Sequence, residues 1–188
     1  MAPQVIDVCS VLRSAVNQNY GNLLTRDTGM AVRHQIEREL AANREGGITS
    51  LDFSRIGMMD YSCADEVVAK LLVLLQNDDL TRGGYVVFCG IGEEHLELVE
   101  TVLEHHGLAL VCLCEDGHPQ LIGRVSEAER RAWEMVRVRG HAAPAELADE
   151  FGFGEDFVAE VLDELLRRRL VRRGQGAFLA LDVADTVQ

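Results

Sequence analysis

The chain has 188 residues, 47% of them hydrophobic, and its 31 acidic and 18 basic residues give a formal net charge of −13. A chain of this length can bury one core and has room for a second, smaller one. The acidic excess argues against a protein whose main partner is nucleic acid or an anionic membrane. Phosphate groups repel such a chain unless its basic residues gather on one face.

Cysteine usage and the first residues of the chain indicate an intracellular protein. The five cysteines are an odd number and are scattered along the sequence, which is typical of reduced thiols in the cytosol and not of a disulfide framework. The first residues lack the basic and apolar regions of a signal peptide, and no run approaches the roughly 20 apolar residues of a membrane helix. We therefore expect a cytoplasmic protein that makes no membrane contact.

Two strands are the first elements predicted in chain order, over residues 5–12 and 22–26. The spacing of Val5, Val8 and Leu12 also suits a helix, so the first of these predictions has an alternative.

Residues 28–43 have the pattern of a helix on the protein surface. Val32, Ile36 and Leu40 form one apolar stripe, with charged residues on the other face. We expect the stripe to pack on the core.

The most informative stretch runs from a strand through a loop into a helix. Ile48, Leu51 and Phe53 suit a buried strand, and residues 60–62 stand at the entrance of the helix. The apolar residues of that helix recur near the helical period: Val67, Val68, Leu71, Leu72, Leu74 and Leu75. The entrance is where we expect a functional site.

The rest of the first half continues the alternation of strands and helices. We predict a strand over residues 85–91, a helix over residues 96–108 that Gly107 ends, and a last strand over residues 108–115. Strands that alternate with helices of this length imply a small open sheet with crossover connections, and thus an α/β fold.

A domain boundary is predicted near Gly117, Pro119 and Gly123, where residue usage changes from Val, Leu and Cys to Arg and Glu. The boundary divides the chain into domains of residues 1–122 and 123–188.

Three helices and two short strands are predicted in the second domain. The helices span residues 126–140, 144–152 and 154–171, and the strands span residues 170–173 and 177–181. Ser126 and Glu129 form a capping-box pattern, and Pro144 suits the first position of its helix. The apolar face of the third helix is Phe157, Val158, Val161, Leu162 and Leu165. This order of elements resembles a small winged helix-turn-helix domain.

The segment LDFSRIGMMDYSCAD at residues 51–65 resembles the centre of STAS domains, the fold of bacterial anti-sigma factor antagonists. In that family an apolar strand ends in an Asp-Phe/Leu-Ser motif. An Asp-Ser-Ser/Thr-Gly motif follows and opens a helix. Asp60 matches the motif aspartate, and Ser62 falls on the position that a partner kinase phosphorylates. Tyr61 replaces a small hydroxyl residue, and residues 63–66 replace a Gly-Leu-Gly run. The likeness covers about residues 1–115, and only its central motif is specific.

The resemblance implies a mixed sheet with helices and regulation by partner switching, with a serine kinase or an anti-sigma-like factor as the protein partner. A phosphate on Ser62 would meet free backbone N–H groups and the positive end of the helix dipole. Asp60, Asp65 and Glu66 would repel it. The alternative is that Ser62 is the N-cap residue and Asp65 lies at N3. A capping residue can also be modified, so both remain open.

The other residues of reactive or metal-binding type predict neither a cofactor nor an enzyme. Cys63 is a small packing residue or, as the alternative, a reactive thiol in the first helical turn. Cys112 and Cys114 lie on one face of a strand, but no second pair stands at a zinc spacing. His105 and His106 stand near a helix end, where a capping role suits them. The sequence has no phosphate-binding glycine loop and no catalytic triad spacing.

The charge of the second domain disfavours DNA binding. From Val125 onward there are 9 Arg and 13 acidic residues, whereas DNA-binding domains are typically basic. The acids of the third helix would meet phosphates where a recognition helix enters the groove; they are Glu155, Asp156, Glu160, Asp163 and Glu164. An arginine cluster near the wing is a candidate contact for phosphate or for an acidic partner: Arg167, Arg168, Arg169, Arg172 and Arg173.

We therefore predict a cytoplasmic regulatory protein of bacterial type that acts by protein–protein interaction. Its STAS-like domain would offer the loop around Ser62 to a partner, and its winged-helix domain would add a second contact. The alternative is a transcriptional regulator that binds DNA through the wing. Homo-oligomer formation is compatible with either function.

Overall fold

The computed structural model describes residues 4–16, 21–42, 47–77, 84–113 and 118–181. The chain forms two compact units, and the division between them falls between Arg124 and Val125, two residues beyond the predicted boundary. Cys114 and Gly117, which figured in the predictions, lie outside the described residues. Within the described ranges, no helix is both long and apolar enough to cross a membrane.

A five-stranded sheet forms the centre of the first unit. Its strands are β1 (Gln4–Asp7), β2 (Ile48–Asp52), β3 (Tyr85–Cys89), β4 (Ala109–Leu113) and β5 (Pro119–Gly123). They lie side by side in chain order; β1 to β4 are parallel, and β5 runs antiparallel to β4. The predicted α/β fold with a mixed sheet is confirmed.

The helices of this unit connect the parallel strands. They are α1 (Val8–Val16), α2 (Arg26–Ala42), α3 (Tyr61–Ala64), a π-helical segment (Asp65–Lys70), α4 (Leu71–Gln76) and α5 (Glu93–His106). Ile6, Leu51, Phe88 and Cys112 hold matching register positions on one face of the sheet. They form a single core with the buried residues of the helices, including the predicted stripe of α2.

The prediction of strands over residues 5–12 and 22–26 is wrong in most of its length. β1 ends at Asp7, whose carboxylate accepts hydrogen bonds from the N–H groups of Cys9 (2.9 Å) and Ser10 (3.2 Å). These bonds satisfy free donors at the start of α1, so the chain turns into a helix. In residues 22–26 the only strand-like pairing is an isolated bridge between Leu23 and Met59.

The predicted strand over residues 108–115 is present as β4, but it is not the last strand of the unit, because β5 follows. Its Pro119 and Gly123 were read as boundary signals. A proline is tolerated as the first residue of an edge strand, and Gly123 has a positive φ of 97°, which favours glycine.

The second unit combines three helices with a three-stranded antiparallel sheet. Its elements are α6 (Glu127–Arg139), β6 (His141–Ala142), α7 (Pro144–Phe151), α8 (Glu155–Arg167), β7 (Arg172–Arg173) and β8 (Phe178–Leu179), with β8 between β6 and β7. The capping box of Ser126 and Glu129 is confirmed. β6 was not predicted, and the placement of Phe157 on the buried face of α8 is wrong, since its side chain is exposed.

Candidate functional site at the entrance of α3

Backbone hydrogen bonds hold the loop between β2 and α3 in place. The Leu23 N–H donates to the Met58 carbonyl oxygen (2.7 Å), and the Asp60 N–H donates to the Leu23 carbonyl oxygen (2.8 Å). The Gly57 N–H donates to the carbonyl oxygen of Gly21 (2.8 Å). The loop therefore reaches α3 along a defined path that residues 21–23 support.

Apolar side chains are exposed along this path. Leu23 and Met59 form the parallel bridge. Leu23 lies in the core, and Met59 packs against it. Side chains alternate along extended chains, so the neighbouring Leu24 and Met58 point the other way and are 45% and 58% exposed. Tyr61, at the first position of α3, is 40% exposed. We call Leu24, Met58 and Tyr61 the entrance surface.

Asp60, and not Ser62, is the N-cap of α3. Its Oδ1 accepts hydrogen bonds from the Cys63 N–H (2.8 Å) and from the Ser62 hydroxyl (2.9 Å). The prediction of Ser62 as N-cap is therefore wrong, because Ser62 lies inside the helix and donates to the capping carboxylate. Burial raises the pKa of Asp60, but the hydrogen bonds from Cys63 and Ser62 outweigh it and hold the pKa below its usual value.

Cys63 is a packing residue in this structure. Its side chain is fully buried, and its Sγ–H donates to the Thr25 carbonyl oxygen (2.9 Å). Burial, reinforced by the negative charge of Asp60, raises the pKa of the Cys63 thiol to about 12. A thiol of this kind stays protonated at neutral pH, which contradicts the reactive-thiol alternative.

Asp65 is buried one turn into the helix, at the start of the π-helical segment. Its Oδ2 pairs with the Arg26 guanidinium (2.9 Å), and its Oδ1 lies 2.7 Å from Nε2 of His106. Lys70 adds a longer ion pair of 3.8 Å. Burial raises the pKa of Asp65, but the hydrogen bonds from His106 and Arg26 together with the charge of Lys70 hold it below its usual value. We predicted that His106 caps the end of its own helix, but its side chain contacts a carboxylate of another helix instead.

Glu66 is even more deeply buried, at 2% exposed. Its carboxylate pairs with Arg26 (3.0 Å), Arg33 (3.2 Å) and Lys70. Burial raises the pKa of Glu66, but the hydrogen bonds and charges of Lys70 and Arg33 lower it below its usual value. We call the six residues of these two networks the buried charge cluster, after its two buried carboxylates: Arg26, Arg33, Asp65, Glu66, Lys70 and His106. The side chains of Arg26 and Lys70 are themselves about half exposed.

The buried charge cluster corrects the predicted electrostatics of the entrance. Asp65 and Glu66 were expected to repel a phosphate on Ser62, but four cationic or basic side chains pair with them. Of the three acids named for this repulsion, only Asp60 contacts Ser62 directly. Sequence reasoning missed the cluster because Arg26 and Arg33 are far from their partners in the chain; Lys70, four residues after Glu66, was the one local signal.

The predicted arginine cluster of the second unit is mostly engaged within that unit. Arg168 pairs with Glu129 (2.7 Å), and both side chains are largely buried. Arg173 pairs with Asp163 (2.9 Å) and lies over the ring of Phe178.

The remaining arginines of that cluster also make internal contacts. Arg167 pairs with Glu164, and Arg172 Nε donates to the Ala180 carbonyl oxygen (3.4 Å). Arg169 has a positive φ of 57° at the end of α8. Arg167 and Arg173 are nevertheless exposed, so a contact through these arginines stays a prediction.

Comparison with known proteins gives no match, either to a protein-family model or to a curated protein. Over the described ranges, no group of three or more His, Cys, Asp or Glu side chains is placed to hold a metal ion. The entrance of α3 therefore has to be judged on its geometry.

Proposed function

We propose that this is a cytoplasmic regulatory protein that binds a protein partner through the entrance surface, and that phosphorylation of Ser62 controls the contact. The observation that carries the proposal is the exposure of Leu24, Met58 and Tyr61 beside a loop that backbone hydrogen bonds already order. Aromatic residues and Met are enriched in protein interfaces. An ordered loop also loses little conformational entropy on binding.

The position of Ser62 suits a switch. Its hydroxyl donates to the capping carboxylate of Asp60 (2.9 Å). A phosphate on Ser62 would remove this hydroxyl donor and place a second anion beside the Asp60 carboxylate. The new charge would lie in the residue next to Tyr61. The disturbed cap would cost about 1 kcal/mol of helix stability, and the added charge would disfavour an apolar partner surface.

Two further observations support the proposal. The resemblance of residues 51–65 to the STAS centre puts Ser62 on the phosphoacceptor position of that family. The compensation of Asp65 and Glu66 by cations removes most of the repulsion that the sequence predicted there. A serine kinase or an anti-sigma-like factor is the class of partner that this reading implies. The three helices and small sheet of the second unit support a winged-helix domain that adds another contact.

DNA binding by a transcriptional regulator remains the second candidate, and the order of elements in the second unit is what supports it. The charges argue against it, because the first turn of α8 carries exposed Glu155 and Asp156. Arg168 and Arg173 pair with carboxylates of the same unit.

The test is to recover the tagged full-length protein with its bound proteins from native cells and to quantify phosphate on the peptide that contains Ser62. We expect the amount of bound partner to fall as Ser62 phosphate rises. The variant Ser62→Asp should release the partner and Ser62→Ala should retain it.

Ser54→Asp is the matched control, since Ser54 is an exposed serine of the same loop. It should retain the partner. Partner binding that persists unchanged on Ser62→Asp, with Ser62 unmodified in every fraction, would overturn the switch.

A further inference from the structure

Two exposed aromatic side chains lie close together, Phe153 in the turn after α7 and Phe157 in the first turn of α8. Phe153 is 56% exposed and Phe157 is 41% exposed, and their ring centroids lie 5.0 Å apart. Phe151 at the end of α7 is buried, with its ring centroid 6.4 Å from that of Phe153. Phe153 and Phe157 therefore extend the edge of the core into solvent as a pair of contacting rings.

Three exposed carboxylates accompany these rings on or beside the first two turns of α8: Glu155, Asp156 and Glu160. The ion pairs of the second unit use other acids, namely Glu129, Glu134, Glu150, Asp163 and Glu164. Glu155, Asp156 and Glu160 thus have no ion-pair partner among the described residues. This differs from the buried charge cluster, where every acid is compensated.

Helix stability accounts for only part of this arrangement. Glu155 and Asp156 lie in the first turn of α8, where negative charge interacts favourably with the helix dipole. The same argument does not apply to Glu160, a turn further on, because the effect falls off after the first turn. The helix dipole also does not explain the two exposed aromatic rings, because apolar surface left in water forgoes the free energy of burial.

We infer that Phe153 and Phe157, together with Glu155, Asp156 and Glu160, form a docking surface for a protein segment that carries apolar side chains flanked by Lys or Arg. The rings supply the apolar contact area that interface aromatics typically provide. The three uncompensated carboxylates select a cationic partner by charge complementarity. The unit already contains such a pairing, since Cζ of Arg131 lies 4.7 Å from the ring centroid of Phe151.

The same charges exclude a nucleic acid as the occupant, because its phosphates would meet three unpaired carboxylates. The inference goes beyond the proposed function, since none of its five residues belongs to the entrance surface. Either surface can fail its test without affecting the other.

The test is a binding titration of the full-length protein with a fluorescent amphipathic peptide of Leu and Lys at helical spacing. Two comparison peptides separate the contributions: one replaces every Lys by Glu, and the other replaces every Leu by Ala. We expect the Leu/Lys peptide to bind at least about tenfold more tightly than either comparison peptide.

Variants of the protein assign the binding to this surface. The double variant Phe153→Ser and Phe157→Ser, and the triple variant Glu155→Gln, Asp156→Asn and Glu160→Gln, should each weaken the Leu/Lys peptide by about tenfold or more. Val138→Ser is the control for the first, because Val138 is an exposed large hydrophobic residue of the same unit. Glu93→Gln, Glu97→Gln and Glu100→Gln together control for the second, because they are exposed acids of another helix, α5. Both controls should bind within about twofold of the unaltered protein.

Three results would overturn the inference. The first is equal loss of binding in the control variants, which would mean that binding does not depend on this surface. The second is preference for the Leu/Glu peptide or for duplex DNA. The third is a concentration-dependent dimer, seen by light scattering, that the Phe153→Ser and Phe157→Ser variant abolishes, since the occupant would then be a second copy of the chain.

Discussion

Glu66 combines deep burial with three cationic partners, Arg26, Arg33 and Lys70. Of the three cations only Arg33 is largely buried, so its ion pair with Glu66 is the one that desolvation makes sensitive. Breaking a buried ion pair by removing one partner is strongly destabilising. We expect Glu66→Gln to lower the free energy of unfolding by about 3 kcal/mol, measured by urea denaturation. Glu97→Gln, at an exposed acid of α5, should change it by less than about 0.5 kcal/mol. Equal effects of the two variants would contradict a stabilising role for the cluster.

The same carboxylate should make stability depend on pH in a defined direction. The folded protein holds the pKa of Glu66 below its ordinary value of 4.5. A depressed pKa contributes stability above the unfolded-state value, and that contribution is lost as the pH falls through the folded-state value. The difference in unfolding free energy between the unaltered protein and Glu66→Gln should therefore be constant near neutral pH and shrink below about pH 4.5. A difference that grew on acidification would contradict this.

The capping assignment at α3 separates two neighbouring residues. Asp60→Ala removes the acceptor of the Cys63 N–H and should cost about 1 kcal/mol of unfolding free energy. Asp60→Asn keeps an acceptor and should cost less. Ser62→Ala removes only a donor to Asp60, so its cost should stay below about 0.5 kcal/mol in the same thermal or urea measurements. A larger cost for Ser62→Ala than for Asp60→Ala would restore Ser62 as the cap.

Helix α2 packs closely against α3 and the π-helical segment at Gly29. A Cβ atom on Gly29 would lie 3.0 Å from Cys63 Cα and 3.1 Å from Glu66 Cβ. Alanine is normally better than glycine in a helix by about 1 kcal/mol. Here we expect Gly29→Ala to destabilise the protein by about 1 kcal/mol instead, because overpacking against backbone outweighs the gain in propensity.

Gly47→Ala is the matched control for this crowding, since no described residue beyond its chain neighbours has an atom within 4 Å of the position of its Cβ. Urea denaturation should place it within about 0.5 kcal/mol of the unaltered protein. Stabilisation by Gly29→Ala would mean that α2 can move away from the entrance.

The elements that the sequence predicted well are those whose signals are local. The stripe of α2 repeats once per turn, and the capping box of α6 needs only Ser126 and Glu129. The start of the chain was ambiguous because Val5 and Val8 suit either a strand or a helix. The decisive signal was the carboxylate of Asp7, which caps α1.

The candidate site was only half predictable for a related reason. The helix entrance followed from a strand, a loop and a periodic helix in sequence. The buried charge cluster did not, because acids are almost never buried unless paired, and Arg26 and Arg33 lie 39 to 40 and 33 residues from their partners. Long-range pairing of this kind leaves no pattern in a single sequence.

The formal net charge of −13 favours cationic partners and disfavours nucleic acids and other polyanions. The winged-helix fold that we propose for the second unit is one that can bind DNA, yet its third helix starts with acids, and Arg168 and Arg173 pair with carboxylates of the same unit. Charge and fold therefore make opposite predictions about DNA, and a variant that changes only the charge can separate them.

We expect the unaltered protein to bind no duplex DNA at about 10 µM protein and about 50 mM salt, measured by fluorescence anisotropy. The triple variant Glu155→Lys, Asp156→Lys and Glu160→Lys should acquire salt-sensitive binding, because it converts the start of α8 into the basic surface that a recognition helix presents. Glu93→Lys, Glu97→Lys and Glu100→Lys change the net charge equally in the other unit and should bind far more weakly. Equal binding by the two variants would mean that charge alone attracts DNA, and that α8 has no recognition geometry. Binding by the unaltered protein would favour the transcriptional regulator over the partner-binding protein.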